Sequence, residues 1–176
     1  MGHQLFGSFS IQPRSSATGA KYSLNTVSLL TLGAAAPLAE VREAVLELRR
    51  GKGMVIDPDD PDSVSAGSFF TNPILEPDAF AALDSRTGPE LRPPAFPEPD
   101  GRIKTSAAWL IERAGFSRGY GHGRVGISTK HTLALVNRGG GTTAELMALA
   151  RDIADGVQAA FGVALHPEPV LVGHDW

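Results

Sequence analysis

The sequence contains no cysteine among its 176 residues. That excludes disulfide bridges, thiolate metal sites and cysteine nucleophiles, and it is typical of a reducing compartment. No apolar run approaches the ~20 residues of a transmembrane helix, and no signal-peptide pattern opens the chain. The net charge is only −3, so no global field favours nucleic acid or an anionic membrane. We therefore expect a cytoplasmic protein that binds neither of them.

What is present fits one ordinary globular domain. Hydrophobic residues make up 42% and charged residues 20% of the chain, which is usual for a soluble fold with a sizeable core. Residues 1–27 are mostly polar and lack a clear period, apart from a weak strand pattern over 22–32. We interpret 1–27 as a disordered lead-in or the remnant of a missing domain, and 28–176 as the folded domain.

Two segments have the periodicity of amphipathic helices. Residues 37–50 place apolar side chains at helical spacing and end in Arg49 and Arg50 before Gly51, as cations at a helix C-terminus do. Farther on, Thr142 and Glu145 form a capping-box pattern before a long apolar stripe that reaches Gly162.

Strands and loops are predicted between and after these helices. Strand patterns occupy 64–70 and 125–136, and short ones are predicted around 163–165 and 170–172. Residues 85–101, with five prolines, are expected to form a long structureless connection, and Thr105 is expected to cap a short helix. The order predicts an α+β fold with helices packed on a small mixed or antiparallel sheet.

The most informative stretch is residues 67–73, Gly-Ser-Phe-Phe-Thr-Asn-Pro. It predicts a strand end that presents Ser68 and Asn72 to a cleft, because Pro73 holds Asn72 extended. The alternative is a buried strand end whose hydroxyl bonds to backbone. The frame of a hydrolase nucleophile elbow is absent, because Phe70 stands where its second glycine would be.

Other polar groups are ambiguous when each is taken alone. Arg49, Arg50 and Lys52 form a basic cluster or a solvated helix end. Residues 128–131, Ser-Thr-Lys-His, form an exposed hairpin turn or a substrate contact. The aspartate-rich loop 57–62 lacks the glycine and terminal glutamate of a calcium loop. The glycine-rich loop 119–123 precedes strands rather than a helix, which excludes a phosphate-binding fingerprint.

Taken in order, these groups resemble the C-terminal part of the UDP-N-acetylenolpyruvoylglucosamine reductase family over about residues 28–173. The serine motif carries the resemblance together with its ordered companions. These are residues 41–45, 50–54, 65–73, 107–112, 128–131, 136–137 and 166–169, the last being His-Pro-Glu-Pro.

The resemblance implies a reaction and residue roles. The family reduces UDP-N-acetylglucosamine enolpyruvate with NADPH through bound FAD, in peptidoglycan precursor synthesis. Ser68 matches the serine that protonates the carbanion-like intermediate, and Glu168 matches the glutamate near the enolpyruvyl group. Lys52 matches the lysine on the UDP phosphates and Asn72 a substrate-contacting asparagine. Lys130 is a further candidate substrate contact.

The chain also departs from the family. An FAD-binding region longer than everything ahead of residue 37 is missing, so we expect neither FAD nor NADPH to bind this chain alone. A flavin domain would have to be supplied in cis or in trans. Arg14 is the candidate for the family's active-site arginine, although proline stands where tyrosine is expected. The alternative is a non-catalytic UDP-sugar-binding module or a structural remnant. A serine hydrolase is disfavoured because no triad spacing is present.

Overall fold

The computed structural model describes residues 38–121 and 123–176. In this part of the chain four helices and six short strands alternate. The helices are α1 (Leu38–Arg50), α2 (Pro77–Thr87), α3 (Ala107–Arg113) and α4 (Thr143–Phe161). The strands are β1 (Ser65–Ser68), β2 (Ile74–Leu75), β3 (Phe96–Pro97), β4 (Ile103–Lys104), β5 (Val125–Ile127) and β6 (Ala134–Asn137), and a 3₁₀ turn covers Pro61–Ser63.

The strands form two antiparallel sheets. The first has the order β1-β6-β5, and the second, built from two-residue strands, has the order β2-β4-β3. The predicted α+β class is therefore confirmed, with two small sheets where the sequence suggested one.

The core lies between the first sheet and the helices α3 and α4. Fully buried side chains from each layer meet there, among them Phe70, Leu110, Ile127, Ile153 and Val157. Each side chain of this size contributes roughly 1.5–3 kcal/mol when it leaves water. This layer fixes the first sheet, and with it the position of β1.

Helix α4 begins and ends as the sequence predicts. Thr142 Oγ1 accepts from Glu145 N at 3.2 Å, and the Glu145 carboxylate accepts from Thr142 N at 2.8 Å. At the other end Gly162 adopts a left-handed conformation with φ of 72°, which glycine tolerates best. The capping box and the glycine end are both confirmed.

Helix α1 is confirmed within one residue of its predicted range, but its packing is unusual. None of its residues is buried, and Leu38 retains 87% of its accessible surface. An amphipathic helix normally buries its apolar stripe against a core. Here the described part of the chain covers the stripe only in part: Val41, Leu46 and Leu48 are half-buried, whereas Leu38 and Val45 are exposed.

Three predictions about secondary structure are wrong. Ser106, not Thr105, caps α3, because its side chain accepts from Trp109 N while Thr105 is fully buried. The predicted loop 85–101 contains the last turn of α2 and strand β3. Residues 163–172 form no strand; a single bridge joins Pro167 to Phe70. The prolines at 167 and 169 explain this, because they remove ladder donors.

An aromatic cluster lies next to the end of β1. The Trp176 ring lies 6.2 Å from the Phe69 ring and 6.0 Å from the Phe70 ring, and the two phenylalanines meet edge to face at 5.1 Å. Both phenylalanines are buried, and Trp176 keeps 42% of its surface exposed. These contacts anchor the residues that follow Ser68.

No helix in the described residues is long and apolar enough to cross a membrane. The predicted lead-in 1–27 and the weak strand pattern at 22–32 lie outside the described residues.

Candidate active site

Ser68 is the last residue of β1 and lies beside a surface pocket. Its strand pairs with β6, where Ser68 stands opposite Ala134, and the register shifts between Ser65 and Ser68. Gly67 has a φ of 88°, a conformation that strains other residues. The glycine therefore permits the irregularity that ends the strand, and Ser68 is left half-buried at the pocket wall.

Glu168 faces the same pocket because its segment runs beside the serine motif. Glu168 N donates to Phe69 O at 2.8 Å, and Thr71 N donates to His166 O at 3.0 Å. The flanking prolines restrict this segment, as the sequence suggests. Ser68 and Glu168, which are 100 residues apart in the chain, are thereby brought together.

The pocket has a volume of about 400 Å³ and combines one basic, one acidic and one hydroxyl side chain. It is lined by Arg49, Met54, Ala66, Gly67, Ser68, Glu168 and Pro169. It is open to solvent, and its size and polarity suit part of a polar ligand rather than an apolar one.

The basic side of the site comes from the end of α1. Lys52 N and Met54 N both donate to Arg49 O, at 3.1 and 2.8 Å, so the chain turns tightly after the helix. Gly53 is buried in this turn with a φ of 66°, and a Cβ there would lie 2.9 Å from Asp62 O. Arg49 thus lines the pocket, and Lys52 is exposed close to it.

The ionisable side chain of His131 contacts Ser68. Its Nε2 lies 3.5 Å from Ser68 Oγ. Burial, and secondarily the positive charge of Lys52, lower the pKa of His131 below its ordinary value. His131 therefore links Ser68, which it contacts, to the charge of Lys52, which acts on its pKa.

Lys130 is the predicted substrate contact within residues 128–131, but the side chain that lies beside Ser68 is that of its neighbour His131. Lys130 Nζ donates to Asp60 Oδ2 at 2.7 Å. That pair raises the pKa of Lys130 and lowers the pKa of Asp60. The stretch is the β5–β6 hairpin connection, so the turn interpretation and a role at the site are compatible. The signal in the sequence that could have indicated His131 is the presence of an ionisable ring in a short polar turn.

The aspartate-rich loop 57–62 is hydrogen-bonded to the β5–β6 connection that carries His131. Asp62 is buried, and its carboxylate accepts from Thr129 N at 3.1 Å and from Thr129 Oγ1 at 2.5 Å. Ser63 Oγ donates to Asp57 O at 2.8 Å and closes the loop. The described residues contain no cluster of three or more acidic or histidine side chains that could hold a metal.

Asn72 lies apart from the pocket lining. Its Oδ1 accepts from Ala107 N at 3.0 Å and so ties the serine motif to the start of α3. This bond leaves both Nδ2 protons of Asn72 available as donors. The other sequence candidate, Arg14, lies outside the described residues.

The described residues do not fit a flavin dinucleotide. The pocket beside Ser68 is open, holds about 400 Å³ and is lined on the acidic side by Glu168. Diphosphate sites in dinucleotide folds use a glycine-rich turn that opens a helix. A glycine-rich turn at 139–141 does precede α4, but Gly139 N and Gly141 N donate to Asn137 Oδ1, and Thr142 N donates to the Glu145 carboxylate. These amides are already bonded and the helix N-terminus carries an acidic side chain, so the turn does not offer a diphosphate site.

Comparison with known proteins connects this site to a family. The sequence profile described as "UDP-N-acetylenolpyruvoylglucosamine reductase, C-terminal domain" matches residues 59–172. The chain belongs to this family. The match includes Ser68, Asn72, Lys130 and Glu168, whereas Lys52 precedes it.

Full-length relatives carry the same description. The chain is 66% identical over 141 residues to the UDP-N-acetylenolpyruvoylglucosamine reductase of Thermobifida fusca, covering 78% of this chain and 40% of the relative. It is 61% identical over 146 residues to the reductase of Saccharopolyspora erythraea, with 80% and 40% covered. For the reductase of Streptomyces coelicolor the values are 61% over 143 residues, with 78% and 37% covered. The chain thus spans about two fifths of the length of these relatives.

Proposed function

We propose that this chain is the substrate-binding part of a flavin-dependent reductase that converts UDP-N-acetylglucosamine enolpyruvate to UDP-N-acetylmuramate with NADPH. The observation that carries the proposal is the pocket that Ser68 and Glu168 share beside Arg49. The names of the full-length relatives support the reaction. The product is a peptidoglycan precursor, which fits a cytoplasmic enzyme.

Ser68 is the proposed proton donor. Addition of a hydride to one alkene carbon leaves a carbanion at the other, and such a carbon is a strong base. A positioned hydroxyl can protonate it even though serine is a weak acid at neutral pH. Ser68 meets the positional requirement, since it is half-buried at the pocket wall.

The charged groups have complementary proposed roles. Lys52 binds the diphosphate of the substrate as a compact cation, and Glu168 lies near the enolpyruvyl group. Asn72 contacts substrate through its Nδ2 protons while Oδ1 stays bonded to Ala107 N. Arg14 would add a cation near the reacting group, and Lys130 a contact at the edge.

FAD and NADPH are bound by a domain other than the described residues. Because these residues lack a fit for the dinucleotide, the flavin domain is supplied in cis or in trans. The chain alone is expected to show no flavin absorbance and no NADPH oxidation.

The deciding experiment uses a fusion protein in which residues 38–176 replace the matching part of the Thermobifida fusca relative. The Ser68→Ala substitution should leave flavin reduction by NADPH intact and slow reoxidation by the enolpyruvyl substrate by about 10²–10⁴-fold. Ser85→Ala, at an exposed position of α2 away from the pocket lining, is the control and should change neither half-reaction. Equal reoxidation rates for Ser68→Ala and the unsubstituted fusion would remove Ser68 from this role.

A second candidate is a UDP-sugar-binding module without catalysis. It is favoured by the open, polar pocket beside Ser68, which suits part of a polar ligand whether or not a flavin is bound. Calorimetry on the 176-residue chain with the enolpyruvyl substrate separates the possibilities. Binding that Lys52→Ala weakens and Arg42→Ala leaves unchanged, without turnover in the fusion, supports the module. No binding heat leaves a structural remnant.

A further inference from the structure

We propose that His131 acts on Ser68 as a hydrogen-bond donor through Nε2–H, so that the hydroxyl proton of Ser68 stays free for the substrate. The inference rests on the proposed function, because it explains how a serine can act there as an acid. It adds to the site a residue that the sequence analysis does not single out.

Ser68 and His131 are in contact. Ser68 Oγ and His131 Nε2 are 3.5 Å apart although the residues are 63 positions apart in the chain. This distance is at the long end of the hydrogen-bond range. Catalytic hydrogen bonds are often long before substrate binds and shorten when charge develops.

The number of protons on the two groups sets the direction that an acid role requires. A serine hydroxyl has one proton and two lone pairs, and neutral imidazole has one N–H donor and one acceptor nitrogen. If Ser68 donated to Nε2, its only proton would point away from the substrate, as it does in a serine nucleophile. An acid role for Ser68 therefore requires the opposite direction, from Nε2–H to Oγ.

His131 is well suited to donate as an uncharged ring. Burial and the nearby Lys52 lower its pKa, so it donates as a neutral imidazole at neutral pH, as an electrophilic histidine can. The charged groups of the surrounding elements include Arg49 and Glu168 in the pocket lining and Lys52 after α1. Asp62, the Asp60–Lys130 pair, and Glu112, which accepts from Thr132, belong to the elements next to the hairpin. Of these, Lys52 is the one whose charge contributes to the lowered pKa.

In the proposed proton transfer, Ser68 is the only side chain that loses a proton. The Ser68 O–H bond breaks, its proton forms the new C–H bond at the carbanion, and the electron pair stays on Oγ. The His131 Nε2–H bond stabilises the resulting alkoxide and is not itself broken. Water returns a proton to Oγ. The hydride equivalent comes from the reduced flavin of the proposed reaction.

The hairpin that carries His131 is held firmly in place. Buried Ser128 Oγ accepts from His131 N at 3.2 Å and from Lys130 N at 3.0 Å. Asp62 fixes the adjacent Thr129 through two bonds. Asp62 and Ser128 are thus positioning residues, and the imidazole is presented to Ser68 by backbone that is bonded on both sides.

Nitrogen NMR of the 176-residue chain tests the direction of the bond. We expect the neutral His131 ring to carry its proton on Nε2, and we expect Ser68→Ala to move the Nε2 resonance while His166, an exposed histidine, stays unchanged. A His131 ring protonated on Nδ1, or a Nε2 resonance that ignores Ser68→Ala, would overturn the proposal. An amide spectrum of Ser68→Ala that matches the unsubstituted chain establishes that the variant is folded.

The same idea predicts a rescue pattern in the fusion protein. His131→Leu removes the donor and should slow flavin reoxidation by about 10²–10³-fold, the effect of losing one donor to a developing oxyanion. His131→Gln keeps an N–H donor and should restore most of the rate. An unchanged rate in His131→Leu refutes the role of His131, whereas an unchanged rate in Ser68→Ala refutes the proposed function itself.

Discussion

Single residues outside the pocket lining help to set the geometry of the site, and Asp62 is the clearest case. Its side chain is 6% exposed, and both its carboxylate oxygens accept from Thr129. A buried charged acceptor whose partners are both donors is costly to alter. The stability of the hairpin that presents His131 therefore depends on the aspartate-rich loop 57–62.

We expect Asp62→Asn to lower the free energy of unfolding by about 1–3 kcal/mol, because the amide cannot accept at both oxygen positions. Urea denaturation of the 176-residue chain measures this change. Asp59→Asn is the matched control, since Asp59 is exposed in the same loop, and it should stay within about 0.5 kcal/mol of the unsubstituted chain. Equal stability of the two variants would contradict a tying role for Asp62.

The lowered pKa of His131 makes a prediction about pH. As pH falls from neutral, the unfolded chain protonates this histidine at its ordinary value before the folded chain does, so the unfolded state binds more protons and stability decreases. The decrease is complete once the pH is below the lowered folded value. His131→Gln should flatten the dependence of Tm on pH between about 7.5 and 5.5, and His166→Gln should not. A slope that survives His131→Gln would assign it to another group.

At the scale of elements, close packing of α4 on its neighbours allows little change. Gly156 lies where a Cβ would come within 2.4 Å of the Phe116 ring. The glycine costs helix propensity but lets the ring approach. Phe116 in turn meets the Tyr120 ring edge to face at 4.9 Å.

We therefore expect Gly156→Ala to destabilise the chain by about 1–3 kcal/mol, although alanine is the better helix former, because overpacking forces the ring to move. Thermal unfolding measures the effect. Ala148→Gly, at an exposed position of the same helix, should cost about 1 kcal/mol through propensity alone. A Gly156→Ala variant more stable than the parent would show that Phe116 yields freely.

Elements that are specified by local sequence signals could be predicted, and elements that are held by tertiary contacts could not. Helix α4 has a capping box, a long apolar stripe and a terminal glycine, so Thr142–Gly162 was predictable. Helix α2 buries Leu83 alone and therefore lacks a strong period. The segment around Glu168 is held by pairing with Phe69–Thr71, a tertiary contact without a local pattern.

The residues of the site also differ in whether a local sequence signal or a tertiary contact identifies them. The glycine and the serine of the motif, and the proline-flanked Glu168, are visible in sequence because they need special backbone. The contact between His131 and Ser68 depends on the pairing of β1 with β6, so a polar run at 128–131 could not indicate whether Lys130 or His131 reaches the serine.

At the scale of the whole molecule, burial is unevenly distributed. Helix α4 contributes five buried residues, including Met147 and Ile153, whereas α1 contributes none. Local opening costs less free energy where fewer apolar contacts hold an element. The end of α1 nevertheless carries the basic groups of the site. Substrate would therefore contact the part of the fold that opens at the lower free-energy cost.

Native-state hydrogen exchange on the 176-residue chain should show this difference. Amides of α4 should exchange at rates set by global unfolding, and those of α1 many times faster through local opening. Addition of a UDP-sugar should slow exchange at Lys52 and the end of α1 more than in α4. Equal protection of α1 and α4 without ligand would mean that α1 is held by contacts outside the described residues.

The aromatic cluster beside the serine motif has a practical consequence for spectroscopy. The chain has two tryptophans, and Trp176 touches the two phenylalanines that directly follow Ser68. Trp109 instead pairs with Phe161 on the helical side. With Trp109 replaced by phenylalanine, the emission of Trp176 becomes a single-fluorophore reporter of the serine strand, and ligand occupancy can be followed by light without a label.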